Sequence, residues 1–153
     1  MMQDEAMLDW LFSDPLPLGA TAPDFVLHDQ AGNKVALAQL RGKNVVLVFY
    51  PGDDTGVCTK QLCEFRDTWA FAKQKNAVVY GLSPQNAESK ARFHKKYDFP
   101  FPLLSDPGQQ VGQLYNTRGL IPKRTVYLIG PDGLIRYAKR GKPQPAEVFA
   151  AAA

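Results

Sequence analysis

The sequence predicts an α/β domain: a central mixed β-sheet flanked by helices, with an N-terminal β-hairpin. Three observations carry this reading. The run Val45-Val46-Leu47-Val48-Phe49-Tyr50, stopped by Pro51-Gly52, is apolar on both faces, as a central strand covered on both sides must be. Later strand signals alternate with helical patterns in the order β, α, β, α, β, which is the order of parallel βαβ units. Near the C-terminus Gly130-Pro131-Asp132-Gly133 joins two extended runs and adds an antiparallel pair.

Taken in order, residues 1–16 place Met7, Leu8, Leu11 and Phe12 at helical spacing before Pro15-Leu16-Pro17, and read as an N-terminal extension with a short amphipathic helix. The main domain is residues 17–153. Residues 24–27 and 34–37 are extended runs around the turn signal Gln30-Ala31-Gly32-Asn33, which makes them a hairpin. Residues 44–50 form the central strand. Asp53-Asp54-Thr55-Gly56 offers helix caps, and residues 57–75 carry Leu62, Phe65, Trp69 and Ala72 at steps of three and four, predicting one long helix. A strand at 78–82 is followed by a helix at 86–97 with Ala91 and Phe93 inward. A brief strand at 103–104 and a short helix at 109–115 come next. Residues 124–129 and 134–138 make the hairpin, and residues 145–153 a last helix. Parallel units closed by an antiparallel hairpin fit a thioredoxin-like architecture.

Composition narrows the function classes. In 153 residues, 45% are hydrophobic and 22% charged, the proportions of one soluble domain with a real core. A net charge of +3 is too small to point to nucleic acid. The start Met1-Met2-Gln3-Asp4-Glu5 is acidic where a signal peptide is basic, and no apolar stretch reaches bilayer-spanning length. The expectation is a soluble protein of a reducing cytoplasm, without a membrane partner.

The two cysteines, Cys58 and Cys63, close too short a loop to staple a fold, so they point to chemistry. Cys58 falls in the first turn of the predicted long helix, where unpaired N–H groups and the helix dipole favour an anion such as a thiolate. The plainer alternative is a small buried hydrophobe. In an unbroken helix, residues five apart have Cα atoms about 8–9 Å apart, whereas a disulfide needs less than about 7 Å. The cysteines can join only if the helix unwinds; otherwise Cys63 packs against the sheet and never meets Cys58. The C-x4-C spacing is near that of zinc ligands, yet His28 and His94 do not assemble with it: His94 is flanked by Lys90, Arg92, Lys95 and Lys96 on an exposed-looking helix. No metal and no cofactor is expected. The spacing also differs from the C-x-x-C of disulfide oxidoreductases.

Pro51-Gly52-Asp53-Asp54-Thr55-Gly56-Val57-Cys58 resembles the P-x-x-x-T-x-x-C signature of the peroxiredoxins, and Cys58-Thr59-Lys60-Gln61-Leu62-Cys63 is similar to the C-T-x-Q-x-C of the bacterioferritin comigratory protein or PrxQ subfamily. Ala22-Pro23-Asp24-Phe25, Gly81-Leu82-Ser83-Pro84 and Phe101-Pro102-Leu103-Leu104-Ser105-Asp106 agree too, over roughly residues 17–150. Gly56-Val57 stands where the subfamily often has Pro-Gly, Gly130 where it often has Asp, and the last helix is short.

The resemblance implies a thiol-dependent peroxidase of the atypical two-cysteine kind, serving antioxidant defence. In it Cys58 is the peroxidatic thiolate, which takes an oxygen from hydrogen peroxide or an organic hydroperoxide and becomes a sulfenic acid. Cys63 is the resolving residue that forms an intramolecular disulfide, recycled by thioredoxin or a similar dithiol. The Thr55 hydroxyl holds the peroxide, where the residues alone suggest a helix cap. Arg124 lies against the Cys58 sulfur, where alone it reads as a solvated arginine at a strand start. Pro51 shelters the sulfur, where alone it ends a strand. Gln61 matches the pattern without an assigned role, and the subfamily suggests a monomer.

Overall fold

The computed structural model describes residues 14–153. The amphipathic helix expected around Met7–Phe12 lies outside the described residues. From Asp14 onward the chain is tied to the domain: the Leu16 amide donates to the Tyr127 hydroxyl at 2.9 Å, and Asn116 Nδ2 donates to the Asp14 carbonyl at 3.2 Å.

The strands are β1 (Val26–Asp29), β2 (Lys34–Ala36), β3 (Asn44–Phe49), β4 (Ala77–Ser83), β5 (Leu103–Ser105), β6 (Thr125–Ile129) and β7 (Ile135–Arg140). The helices are α1 (Gly56–Asp67), α2 (Trp69–Gln74), α3 (Ala87–Tyr97), α4 (Gln110–Leu114) and α5 (Pro145–Ala150), with 3-10 turns at Leu37–Leu40 and Pro107–Gln109. All seven strands form one sheet in the order β2-β1-β5-β4-β3-β6-β7. β3 runs parallel to β4 and β4 parallel to β5, while β1–β2, β1–β5, β3–β6 and β6–β7 are antiparallel. This is the mixed sheet the sequence predicts, with the hairpin β1–β2 at one edge and β6–β7 at the other.

Every residue of β3 is buried, because the sheet is covered on both faces. Alternate side chains feed two cores. Val46, Val48 and Val126 join Leu62, Phe65, Phe93 and Phe149 on the helical face of α1, α3 and α5. Val45, Leu47 and Phe49 join Phe25, Tyr115 and Tyr127 on the other. α5 ends at Ala150, short of the expected Ala153, and is held by Phe149 edge-on to Phe65 and by paired hydrogen bonds between Asn44 and the Ala153 backbone.

Two helical expectations are corrected. The long helix over 57–75 is two helices, broken at Thr68 (φ −110°, ψ 27°). The Thr68 hydroxyl donates to the Glu64 carbonyl at 2.7 Å, a back-bond within the chain that competes with helical pairing. Trp69 therefore belongs to α2, where its ring lies 5.8 Å from that of Phe101. In α3 Phe93 is buried as expected, but Ala91 is exposed and Lys90 takes the inward position at 0% exposure. An acidic partner, described below, makes that burial possible.

Gly81 sits mid-strand in β4, between Val48 and Leu103. A Cβ there would meet Leu103 Cδ2 at 2.8 Å and the Tyr50 ring at 3.1 Å. The missing side chain is what lets Tyr50 and Leu62 approach the sheet. Gly81→Ala is expected to cost about 1–3 kcal/mol through overpacking, read as a fall of several degrees in the thermal midpoint.

Candidate active site

β3 delivers the chain to Pro51, and a loop with Asp54 in the left-handed region (φ 57°) turns it into α1. Thr55 is the N-cap by its backbone: it is extended, and its carbonyl accepts the first helical bond from the Thr59 amide at 2.8 Å. Its hydroxyl does not cap the helix. It donates instead to the Gly52 carbonyl at 3.2 Å, which leaves the amides of the first turn to the group that sits over them.

Cys58 occupies that first turn, is 0% exposed and belongs to the core under α1. Arg124 Nη2 donates to its sulfur at 3.2 Å. The sheet explains the meeting. β3 and β6 are antiparallel neighbours with Phe49 opposite Thr125, so the chain leaving β3 and the chain entering β6 stand at the same end. Arg124 precedes β6 by one residue and is half-buried, where its residue type alone suggested solvation.

Gln61 is the residue that sequence reasoning left without a role. It is fully buried, one turn beyond Cys58 on the same face of α1. Its Oε1 accepts from Arg124 Nη1 at 2.8 Å, and its Nε2 donates to the Gly141 carbonyl at 3.3 Å. The Gly141 amide in turn donates to the Arg124 carbonyl at 2.8 Å. The guanidinium is thereby fixed on both sides, one nitrogen on sulfur and one on the amide oxygen. The i, i+3 spacing from Cys58 was the available signal.

Pro51 is half-buried at the end of β3, and its carbonyl accepts from Gln85 Nε2 at 3.0 Å. Cys63 is half-buried in the middle of α1, packed against the same core, and both thiols are free. Cys58, Arg124 and Gln61 are thus brought into contact, with Thr55 and Pro51 on the approach to the same helix end. Cys63 stands five residues along an unbroken helix. His28 is on edge-hairpin strand β1, facing Lys34 and Ser105 across its pairs, away from the thiols.

A buried thiol at a helix N-terminus, under an arginine carried by an antiparallel neighbour of the strand before it, defines a thioredoxin-fold protein with a single-cysteine anion site. The chain belongs to the AhpC/TSA family, whose model matches residues 18–138, and within it to the peroxiredoxin Q group. It is 40% identical over 131 residues to a putative chloroplastic peroxiredoxin Q of Oryza sativa subsp. indica, covering 83% of this chain and 60% of that protein. It is also 40% identical over 131 residues to the chloroplastic peroxiredoxin Q of Sedum lineare, covering 83% of this chain and 70% of that protein. Among solved structures, peroxidoxin BcpB of Mycobacterium tuberculosis superposes with a TM-score of 0.83 at 31% identity, over 89% of this chain and 96% of that one. The chain therefore spans about 60% of the length of the rice relative.

Burial pushes the Cys63 thiol up, and the Arg66 guanidinium nearby opposes the shift. A thiol raised in the folded state stabilises that state fully below its unfolded value of about 8.5, and the contribution is lost as pH rises through the folded value. Alkylation of Cys63 by iodoacetamide, followed by peptide mass spectrometry, is expected to reach half its limiting rate above pH 8.5 in the reduced native protein. In denaturing urea the midpoint is expected to return to about 8.5. Equal midpoints would show that Cys63 is solvated in the native helix.

Proposed function

We propose that this domain is a thiol-dependent peroxidase of the atypical two-cysteine kind. The observation that carries the reading is the Arg124 guanidinium at 3.2 Å from the Cys58 sulfur at the N-terminus of α1. Cation and helix end both favour the thiolate, which is the nucleophilic form. The Cys58 thiolate attacks one oxygen of hydrogen peroxide or an organic hydroperoxide. An S–O bond forms as the O–O bond breaks, sulfur is oxidised to a sulfenic acid, and the departing oxygen leaves as water or an alcohol after taking up a proton. Arg124 stabilises charge on the oxygens during displacement, acting as a preorganised donor. In this reading the Thr55 hydroxyl holds the peroxide and Pro51 shields the sulfur.

Cys63 then attacks the sulfenic sulfur. An S–S bond forms, the S–O bond breaks and water leaves, and a dithiol such as thioredoxin reduces the disulfide by exchange. The helix spacing of about 8–9 Å exceeds disulfide reach, so this step needs α1 to unwind. The reading assigns no cofactor, a monomeric protein and a reducing compartment such as the cytoplasm, the last on the sparing use of cysteine.

Hydrogen peroxide consumption coupled to thioredoxin and its reductase tests the activity. Cys58→Ser is expected to abolish turnover, and wild-type turnover in that variant would exclude the mechanism. Cys63→Ser is expected to lose thioredoxin-linked turnover while Cys58 is still oxidised in a single turnover; unchanged turnover would make this a one-cysteine enzyme.

The unwinding step has its own readout. Amides 57–65 are expected to lose hydrogen-exchange protection on passing from dithiol to disulfide. Equal protection in both states would contradict the helix opening.

A further inference from the structure

Behind the loop that carries Pro51 and Thr55 lies a buried charged group that the reaction steps do not use. Asp53 occupies one of the unspecified positions between Pro51 and Thr55, and its side chain is 3% exposed. Its carboxylate accepts from the Tyr50 hydroxyl at 2.6 Å, Ser89 Oγ at 2.8 Å and Lys90 Nζ at 3.1 Å, and Ser83 Oγ lies 3.2 Å from it. Lys90 has a fully buried side chain, and its ammonium also donates to Ser83 Oγ and to the Tyr50 hydroxyl. Ser83 donates to Gln85 Oε1 at 2.6 Å, and Gln85 Nε2 holds the Pro51 carbonyl at 3.0 Å.

Ser83, Gln85, Ser89 and Lys90 come from the end of β4, the link that follows it and the start of α3, while Tyr50 directly precedes the loop. The acceptors on the loop are the Pro51 carbonyl and the Asp53 carboxylate, with the Gly52 carbonyl between them taking the Thr55 hydroxyl at 3.2 Å. The loop is thus tied to the β4–α3 link at the Pro51 carbonyl and to α3 at the Asp53 carboxylate, and Thr55 is tied to the loop. A buried ion pair is not a favourable way to gain stability, because apolar side chains of similar size do as well or better. Its value here is directional: three donors converge on one carboxylate and allow a single loop placement.

We propose that Asp53 and Lys90 are positioning residues for the peroxide site: their ion pair fixes the Pro51–Thr55 loop against the Cys58 end of α1 without touching the reacting atoms. This rests on the peroxidase reading above. It separates two properties of the site. Thiolate formation depends on α1 and Arg124, whereas peroxide capture depends also on where the loop holds Thr55 and Pro51.

The test compares the full chain with Lys90→Met and with the double variant Asp53→Leu/Lys90→Met, the latter replacing the pair by apolar groups so that folding does not suffer from an uncompensated charge. Two rates are read on reduced protein: the second-order rate of thiol loss on mixing with limiting hydrogen peroxide, and iodoacetamide alkylation of Cys58 against pH by mass spectrometry. In both variants the peroxide rate is expected to fall about tenfold or more, as misplacement of a reacting geometry does, while the Cys58 alkylation profile stays that of the parent. A double variant that reacts with peroxide at the parent rate overturns the proposal and leaves the pair a feature of the fold. A shifted alkylation profile overturns it too, by showing that the pair acts on the thiol itself. A parent protein that peroxide does not oxidise overturns the peroxidase reading instead, and is recognised before any variant is compared.

Discussion

Under the peroxidase reading, a sulfur that must carry charge while enclosed in a hydrophobic core is the constraint around which this domain is arranged. An isolated anion at such a site is prohibitively costly unless donors surround it. Cys58 is enclosed by core residues, and the compensation comes from Arg124 and from the dipole of the helix end it occupies. Neither is local luck. The helix starts where it does because Pro51-Gly52 stops β3 and Thr55 adopts an extended N-cap. The arginine arrives because β6 pairs antiparallel with β3 and begins where β3 ends. A lysine in its place would offer a point charge on a flexible stem. The planar fork instead puts one nitrogen on the sulfur and the other on Gln61, which is itself bonded to Gly141.

Under the peroxidase reading the same helix holds Cys58 in one state and releases it in another. The break at Thr68 bears on this. α2 is docked separately, by Ala72 in the core and by Trp69 against Phe101, so its packing does not depend on α1 continuing into it. Within α1, Gln61, Leu62 and Phe65 are buried beyond Cys58, whereas Gly56, Val57 and Lys60 of the first turns are exposed. Opening the N-terminal turns therefore releases Cys58 and its neighbours while Phe65 and α2 remain packed. A single helix continued to Gln74 would have spread the cost of opening over a longer cooperative unit.

Apolar runs made the sheet legible: β3 and β4 announce themselves by burial on both faces, and Gly130-Pro131-Asp132-Gly133 marks the β6–β7 connection. The position of Cys58 was legible for a local reason, a turn followed by helical periodicity. What escaped depends on distant partners or on single hydroxyls. The apolar period runs unbroken through Thr68, so only its back-bond to Glu64 reveals the break. The identity of the inward residue on α3 was misjudged because Lys90 is buried by Asp53, 37 residues earlier, and no feature of α3 itself announces that. Arg124 gives no local sign of its role, and the resemblance alone pointed to it. Gln61 carried a spacing signal, three residues past Cys58, whose meaning appears only when Arg124 is beside it.

The two cysteines differ by environment, not by type, and that difference sets the order of events. Cys58 sits in the first turn of α1 and faces the Arg124 guanidinium, and both a cation and a helix N-terminus favour a sulfur anion. Cys63 is pushed up by burial, which the nearby Arg66 guanidinium opposes without reversing. Under the peroxidase reading the first sulfur is the nucleophile in the closed helix and the second is not, and the helix spacing between them blocks disulfide formation until α1 opens. Opening removes the burial that held Cys63 protonated and the spacing that held it away in the same movement. Under the peroxidase reading, oxidation must come before resolution because the conformation that favours the first step disfavours the second.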